Sequence, residues 1–384
     1  MVYTSSYQAA HTIAETVHAH FSRHISSARA RGGEGLAPVP PAQVIEAVID
    51  VTFWASLQRE EGHSPKISIA LLPPGQNGQA LHFERRFPLT PAHLTKLAPA
   101  VERPGIHIGV WQEGEELVIW GATRTIPSLC FVLEVVEPGL LVVKHRRLEA
   151  FGKFANVAVL KGEEVKVVDE KSSSLPDCPS LLTALLDFGA PSSWTDPADD
   201  DVNVLVQLAT SMRAHGRGGS LLVVPARKAA WRESIIHPMA FAVVPPFAGL
   251  AHLLRQDERE RTKPSWQDSL RRAVDGVAGL TAVDGAAVID DQYELLAFGA
   301  KIGRPEKCLP VEEIMTSEPI VGGGIKVVHP TEMGGTRHLS AAQFVHDQHD
   351  ALALVASQDG RFTIFAWSPC EGMVHAYRVD SLLL

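Results

Sequence analysis

The sequence predicts an α/β (α+β) protein of two domains, and three observations lead to this fold class. The chain has 384 residues, the length of about two domains of ordinary size. Between residues 66 and 168, short apolar runs are separated by turn residues, the pattern of a mainly antiparallel sheet. After residue 200, helical and strand-like segments alternate, which is typical of a mixed sheet flanked by helices. The predicted domains span residues 1–190 and 200–384.

The N-terminal domain is predicted to open with two helices. In residues 8–30, apolar side chains recur every four positions, which indicates an amphipathic helix. Residues 31–41 are rich in Gly and Pro and predict a flexible connector, and a second helix is predicted at 41–60. Few helices are expected after it. Strands are predicted at 68–72, 107–111, 117–121, 131–136, 140–144, 156–160 and 165–168.

Two groups of basic side chains in this domain each allow two interpretations. His20 and His24 lie one helical turn apart, as in a metal pair or on a solvated helix face. No carboxylate or Cys joins them at ligand spacing, which favours the solvated face. The sequence His145-Arg146-Arg147 fits an anion contact or a solvated strand end, and the strand end is the simpler explanation.

Composition and charge argue against several classes of protein. The chain is 45% hydrophobic and 21% charged, as ordinary globular proteins are. Its formal net charge of −9 argues against a nucleic acid as the main partner, because binding to the phosphate backbone needs clustered Lys and Arg. The four cysteines lie far apart, so that neither a zinc site nor a disulfide framework is predicted.

Neither a signal peptide nor a membrane-spanning segment is predicted. The first seven residues are polar and uncharged. The most apolar window, residues 239–250, is too short to span a bilayer and contains Pro245 and Pro246. We therefore expect a soluble cytoplasmic protein without membrane contacts.

The interval 171–201 is rich in Ser, Pro and Asp and is predicted to hold the domain boundary, with one short helix at 181–188. The acidic triplet 199–201 fits a metal site or the N-cap and first turn of the next helix, and the apolar run after it favours the helix. The second domain is then predicted to contain helix 202–214, strand 219–224, helices 240–256 and 265–275, and a strand after Asp284.

The stretch 334–344 has the composition of a phosphate site. Two glycines are followed by Thr336, Arg337 and His338 and then by helix-forming residues. A helix that begins here points its unpaired N–H groups at the turn, where Arg337 can add a bidentate contact to phosphate oxygens. The alternative is a glycine turn before a surface helix whose first side chains are merely solvated.

A second stretch, upstream of the first, places a carboxylate before a buried strand. Asp284, Gly285 and Ala286 lead into an apolar run. Asp284 is therefore expected at the mouth of this strand, where a metal ion or a ribose hydroxyl can meet it. After the helix that follows Gly335, a further apolar strand is predicted to end at Ser357.

These segments, in this order, resemble the diadenylate cyclase (DAC) domain, which joins two molecules of ATP into cyclic di-AMP. The Gly-Arg-Gly-Gly sequence at 216–219, followed by an apolar strand, is also similar to the opening of that domain. The resemblance covers residues 200–384. It implies a mixed sheet flanked by helices and a metal-dependent nucleotidyltransferase.

The resemblance assigns roles residue by residue. Asp284 would bind Mg²⁺ or Mn²⁺ and position or deprotonate the 3′-hydroxyl, and Arg337 would hold phosphate. His338 would complete the catalytic set by contacting phosphate or the metal. The nucleotide-binding residues would be Gly285, Ala286, Gly335, Thr336 and Ser357.

The resemblance also implies partners. One such domain holds one ATP, and therefore activity implies a homodimer or a higher homo-oligomer with two sites face to face. Residues 1–190 carry no catalytic motif and would form a sensor or regulatory domain.

Two departures from the family pattern stand out. The usual Arg-His-Arg motif has Leu339 in place of its second Arg, and Lys301, Arg304 and Lys326 are candidates to replace the lost charge. The interval 305–333 is predicted to be an insertion that covers the site or the dimer face, or else a surface loop. Leu339 leaves a second function open, a catalytically degenerate module that senses ATP or a cyclic dinucleotide.

Overall fold

The computed structural model describes residues 5–75, 80–147, 154–169, 204–226, 228–261 and 263–384. They form an α+β protein with two mixed sheets, which confirms the predicted fold class. The described residues divide into an N-terminal unit, residues 5–168 with Leu384, and a C-terminal unit, Asp169 with residues 204–383. The predicted boundary, its short helix and its acidic triplet lie outside the described residues, and the predicted domain limits stay a prediction.

In the N-terminal unit, helices lie before and between the strands of one sheet. The helices are α1 (Gln8–Ala30), α2 (Ala42–Ser56) and α3 (Pro91–Val101). The strands are β1 (Ser68–Leu71), β2 (Leu81–Pro88), β3 (His107–Glu113), β4 (Glu116–Thr123), β5 (Phe131–Glu137), β6 (Leu140–Arg146), β7 (Phe154–Lys161) and β8 (Glu164–Val167). Their order is β2-β4-β3-β1-β5-β6-β7-β8. Among the described strands of this unit, only β1 and β3 pair in parallel.

Sequence patterns predicted α1, α2 and seven of these strands but missed β2 and α3. Strand β2 is exposed along nearly its whole length, so that its sequence has no apolar alternation. Helix α3 did carry a signal, because Thr90 accepts a hydrogen bond from the His93 N–H and Pro91 opens the first turn. The predicted flexible connector is wrong in part, since Ala37 is buried and donates its N–H to the Ser128 carbonyl.

The sequence suggested that the histidines of α1 lie on a solvated helix face, and this prediction is wrong. His20 is buried, and its ring centroid lies 4.3 Å from that of His24 and 5.5 Å from that of His145. A histidine at the end of β6 thus packs on α1 rather than extending into solvent as a strand end. Among the described residues, no group of three or more His, Cys, Asp and Glu side chains is placed to hold a metal ion.

In the C-terminal unit, helices lie on a nine-stranded sheet. The helices are α4 (Val204–Ala214), a 3-10 helix (Ala230–Ser234), α5 (Gly249–Leu254), α6 (Glu258–Arg261), α7 (Pro264–Leu280), α8 (Pro330–Met333) and α9 (Thr336–Asp347). The strands are β9 (Gly219–Val224), β10 (Phe241–Phe247), β11 (Ala286–Asp290), β12 (Leu295–Ala300), β13 (Ile314–Ser317), β14 (Lys326–Val328), β15 (Leu352–Ala356), β16 (Phe362–Ser368) and β17 (Met373–Arg378). Their order is β10-β12-β11-β9-β15-β16-β17-β13-β14.

Two predictions for this unit need correction. The helix predicted at 240–256 is wrong, because strand β10 occupies its first half and only the short α5 follows. Pro245 and Pro246 lack the N–H groups that a helix interior needs, and an edge strand tolerates them. Helix α7 is longer than the predicted 265–275, since it runs from Pro264 to Leu280.

Part of the interval 305–333 belongs to the sheet and is not a surface loop. Its predicted role as a cover of the site or the dimer face stays a prediction. Its strand β13 pairs in parallel with β17, and β14 pairs with β13 at the edge of the sheet. The Ser317 hydroxyl lies 2.8 Å from His375 Nε2 and ties β13 to β17. Strands of three and four residues leave too short a pattern for sequence analysis to detect.

The burial of His375 predicts that the stability of the fold depends on pH. Its imidazole is buried, and burial lowers its pKa from 6.5 to about 4. Below pH 6.5 the imidazole of His375 takes up a proton in the unfolded chain but not in the folded chain. Its contribution to the free energy of unfolding is therefore complete above this pH and is lost as the pH falls towards 4. From pH 7 to pH 4.5 we expect a loss of about 2 kcal/mol attributable to this group. Denaturant titrations at both pH values check it, and an equal loss in His375→Gln would contradict it.

The described part of the chain contains no helix that is both long and apolar enough to cross a membrane.

Candidate functional site

A pocket of about 330 Å³ lies where helix α9 begins and strand β15 ends. Five of the residues predicted for the site line it together, namely Gly335, Thr336, Arg337, His338 and Ser357. The other residues that line it are Val355, Ala356, Gln358 and Asp359. The two sequence segments therefore meet at one end of a central strand of the sheet, as parts of one pocket.

The N-terminus of helix α9, which is the positive end of its dipole, lies at the pocket. Gly335 is its N-cap in an extended conformation, and no side chain of the described residues caps the helix there. The first-turn N–H groups thus have the arrangement that binds anions at helix N-termini. Ala341, Ala342, Phe344 and Val345 are fully buried in the core of the unit, which fixes the helix on the sheet.

Arg337 lies against a glycine loop that precedes β9. A Cβ atom built on Gly218 would stand 2.9 Å from Arg337 Nη1 and 3.1 Å from the Ala356 carbonyl oxygen. Gly218 also has a φ of +68°, which disfavours any other residue. The loop is therefore shaped to leave room for the guanidinium group beside the pocket.

Gly218→Ala tests this arrangement. The added methyl group meets Arg337 and must adopt an unfavourable backbone conformation, so that we expect unfolding to become easier by about 1–2 kcal/mol and nucleotide affinity to fall. Thermal unfolding and nucleotide titration measure the two effects. Gly276→Ala is the matched control, because no atom lies within 4 Å of the added carbon and Ala favours helix α7. A Gly218→Ala protein with unchanged affinity would contradict the proposed contact.

Asp284 lies two residues before β11, with its side chain 92% exposed and ion-paired to Lys301. The hydrogen bond and charge of Lys301 lower the pKa of Asp284, and the charge of Arg337 contributes further in the same direction. The carboxylate is thus ionised at neutral pH and within electrostatic reach of the pocket's guanidinium group. The ion pair with Asp284 places Lys301 in the site. Whether Lys301 replaces the charge of the Arg that the family pattern has at position 339 stays a prediction.

Asp284, Gly285 and Ala286 are not among the residues that line the pocket. Gly285 has a φ of +116° and packs on Gly299, where an added Cβ would stand 2.5 Å from the Gly299 carbonyl carbon. Ala286 is buried and starts β11, paired with both neighbouring strands. The expected contact of Gly285 and Ala286 with a nucleotide stays a prediction, whereas their visible role is to position Asp284.

His338 lines the pocket but is only 2% exposed. Its Nε2 atom lies 3.5 Å from the Thr363 hydroxyl, its ring meets Phe365 edge-on, and burial lowers its pKa. A neutral, buried imidazole suits the support of the first turn of α9. The predicted contact with a metal stays untested, and this burial gives it no support.

Three contributors to the site were missed by sequence reasoning. Gln358 and Asp359 follow β15 and line the pocket, where Asp359 is ion-paired to Arg361 at 3.3 Å. Gly218 adjoins the pocket through Arg337. The turn after β15 was a usable signal, because a polar Gln-Asp-Gly sequence follows an apolar strand there.

Comparison with known proteins identifies part of the chain. Residues 34–124 match the family model described as probable sensor domain DACNV. No curated protein matches the sequence. The matched segment includes α2, α3 and strands β1 to β4. The N-terminal half of the chain therefore carries a probable sensor domain.

Proposed function

We propose that the chain is a diadenylate cyclase that condenses two molecules of ATP into cyclic di-AMP and pyrophosphate under the control of its N-terminal sensor domain. The observation that carries the proposal is the pocket at the start of α9, where Arg337 and Thr336 meet the turn after β15 beside an ionised Asp284. The family matched by residues 34–124 is associated with diadenylate cyclase proteins, which supports the same reading.

The pocket suits the phosphates of ATP. Helix α9 offers backbone N–H groups and the positive end of its dipole, and Arg337 offers a planar guanidinium group that can bind two phosphate oxygens at once. The carboxylate of Asp359 would repel phosphate, but its ion pair with Arg361 offsets part of its charge. The balance favours an anion.

A divalent metal fits the donor chemistry at Asp284. The carboxylate is exposed and ionised, and Mg²⁺ or Mn²⁺ is commonly held by one or two carboxylates together with substrate phosphates and water. Bound there, the metal would neutralise charge on the phosphates. Lys301 would have to give up its contact with Asp284, or share it.

The reaction assigns separate tasks to these residues. The 3′-hydroxyl of each ATP forms a bond to the α-phosphorus of the other, the two bonds to the pyrophosphate oxygens break, and two pyrophosphates and two hydroxyl protons are released. Asp284 positions this hydroxyl and accepts or directs its proton, while Arg337 and the first turn of α9 fix the phosphates in line. If each site holds one ATP, as the family resemblance implies, the proposal requires the second ATP to come from another copy of the chain, in a homodimer or higher homo-oligomer.

Incubation of the purified protein with ATP and Mn²⁺ or Mg²⁺ tests the proposal. We expect cyclic di-AMP by mass-resolved chromatography, at a rate per chain that rises with protein concentration as copies associate. Recovery of unchanged ATP alone, at every protein concentration and with both metals, would contradict the proposal.

A second candidate is a catalytically degenerate module that binds ATP or a cyclic dinucleotide. It is favoured by Leu339, whose side chain packs on the apolar core where the family pattern has a second Arg. Losing one charge-assisted phosphate contact costs about 1.5–3 kcal/mol, which slows an enzyme without necessarily stopping it. Tight nucleotide binding without product would support this candidate over the first.

A further inference from the structure

The two units share one arrangement of strands. Seven strands of the N-terminal unit lie in the order β2-β4-β3-β1-β5-β6-β7, and seven of the C-terminal unit lie in the order β10-β12-β11-β9-β15-β16-β17. When each unit is numbered from its own first strand and β8, β13 and β14 are set aside, the two orders are identical. The chain thus passes through the two sheets in the same sequence of positions.

The directions of the strands agree as well. The parallel pair is β1 with β3 in one unit and β9 with β11 in the other. Every other neighbouring pair among these fourteen strands is antiparallel. Identical order and identical direction across seven strands are a specific match, because many other arrangements satisfy the rules of sheet topology.

The same irregularity occurs at the same edge. Between β2 and β4, the pair His82–Gly121 is followed by the pair Phe87–Ile119, so that five residues of the edge strand oppose two of its neighbour. Between β10 and β12, the pair Ala242–Ala297 is followed by Phe247–Leu295, again five residues against two. Strand irregularities of this kind are characteristic of a family and are retained within it.

The helices occupy matching places. Helix α2 precedes the first strand of one unit, and α4 precedes the first strand of the other. Between the second and third strands lie α3 in the N-terminal unit and α7 in the C-terminal unit. Two helical positions therefore agree in addition to the strands.

The units differ where the C-terminal unit carries its pocket. Between β12 and β15 the chain runs through β13, β14, α8 and α9, whereas between β4 and β5 the described residues 124–130 contain no helix. The counterpart of Asp284, two residues before the third strand, is Gly105. Among the described residues of the N-terminal unit, both helix α9 and the carboxylate of Asp284 thus lack a counterpart.

We propose that the N-terminal unit is a second copy of the C-terminal fold that has no nucleotide site, so that each chain binds a single nucleotide. The stoichiometry rests on the proposed function, whereas the relation between the folds does not. A chain with two functional copies could supply both ATP molecules itself. A chain with one must obtain the second nucleotide from another copy of the same chain.

Native mass spectrometry of the full chain with α,β-methylene-ATP and Mn²⁺ tests the stoichiometry. We expect one nucleotide per chain, a strongly reduced occupancy in Arg337→Ala at the same nucleotide concentration, and an unchanged ratio in Arg124→Ala. The last variant alters the exposed Arg of the segment that stands in place of α9. Two nucleotides per chain would overturn the inference, and wild-type occupancy in Arg337→Ala would overturn the proposed function along with it. Absence of any bound nucleotide would instead overturn the proposed function.

The relation between the folds has its own test. An experimental structure of the full chain should allow the two sheets to be superposed strand for strand, with the five-against-two irregularity at the same edge. A different strand order in either sheet would refute the common fold, whatever the protein binds.

Discussion

Asp284→Asn should reduce the formation of cyclic di-AMP by about a hundredfold or more while leaving the fold and the binding of ATP nearly unchanged. The substitution keeps the size of the side chain and removes its charge, so that it loses the strongest interaction with a divalent metal and the ability to accept the hydroxyl proton. Because the side chain is 92% exposed, its removal leaves no cavity and no buried partner. The rate of product formation and a parallel ATP titration measure the two effects.

The matched control for this prediction is Asp268→Asn, which removes an exposed carboxylate from α7 in the same unit. It changes the net charge equally and should leave the rate unchanged. Wild-type product formation by Asp284→Asn would rule out the proposed catalytic role. A uniform loss of ATP binding and product would assign Asp284 to binding rather than to chemistry.

Local sequence patterns predicted those parts of the C-terminal unit that are decided by neighbouring residues. Helix α9 begins at Thr336 directly after Gly335, because apolar residues at helical spacing follow a glycine N-cap. The buried strands β9, β11 and β15 were recognisable as apolar runs for the same reason. Strand β10 was misread as a helix because its apolar residues carry no period, and only its two prolines mark it as an edge strand.

The contacts that complete the site depend on pairing between distant segments. The pairing of Ala286 with Ala300 brings Asp284 to Lys301, and the pairing of Gly219 with Ala356 brings the glycine loop to Arg337. No local pattern encodes these registers, since they result from the order of strands in the whole sheet. Five of the eight site residues predicted from the sequence line one pocket, and sequence reasoning did not predict which side chains support Arg337 and Asp284.

Arg337→Ala should weaken the binding of ATP by about ten- to a hundredfold, since a charge-assisted contact to phosphate contributes about 1.5–3 kcal/mol. Helix α9 and its buried face remain, so that thermal unfolding should change little. Arg337→Lys keeps the charge and loses the planar fork, and we expect an intermediate affinity. Titration with a nucleotide analogue and Mn²⁺ measures all three proteins.

The control for Arg337 is Arg271→Ala, which removes an exposed guanidinium group from α7 and should leave affinity unchanged. Salt distinguishes Arg337 from Arg271 further, because the contribution of Arg337 to phosphate binding should diminish as ionic strength rises. If Arg337→Ala binds ATP as wild type does, the pocket at α9 is not the phosphate site, and the proposed function fails with it. If binding is lost in Arg337→Ala and kept in Asp284→Asn, phosphate holding resides at the start of α9 and the chemistry resides at the carboxylate before β11, as the proposed function requires.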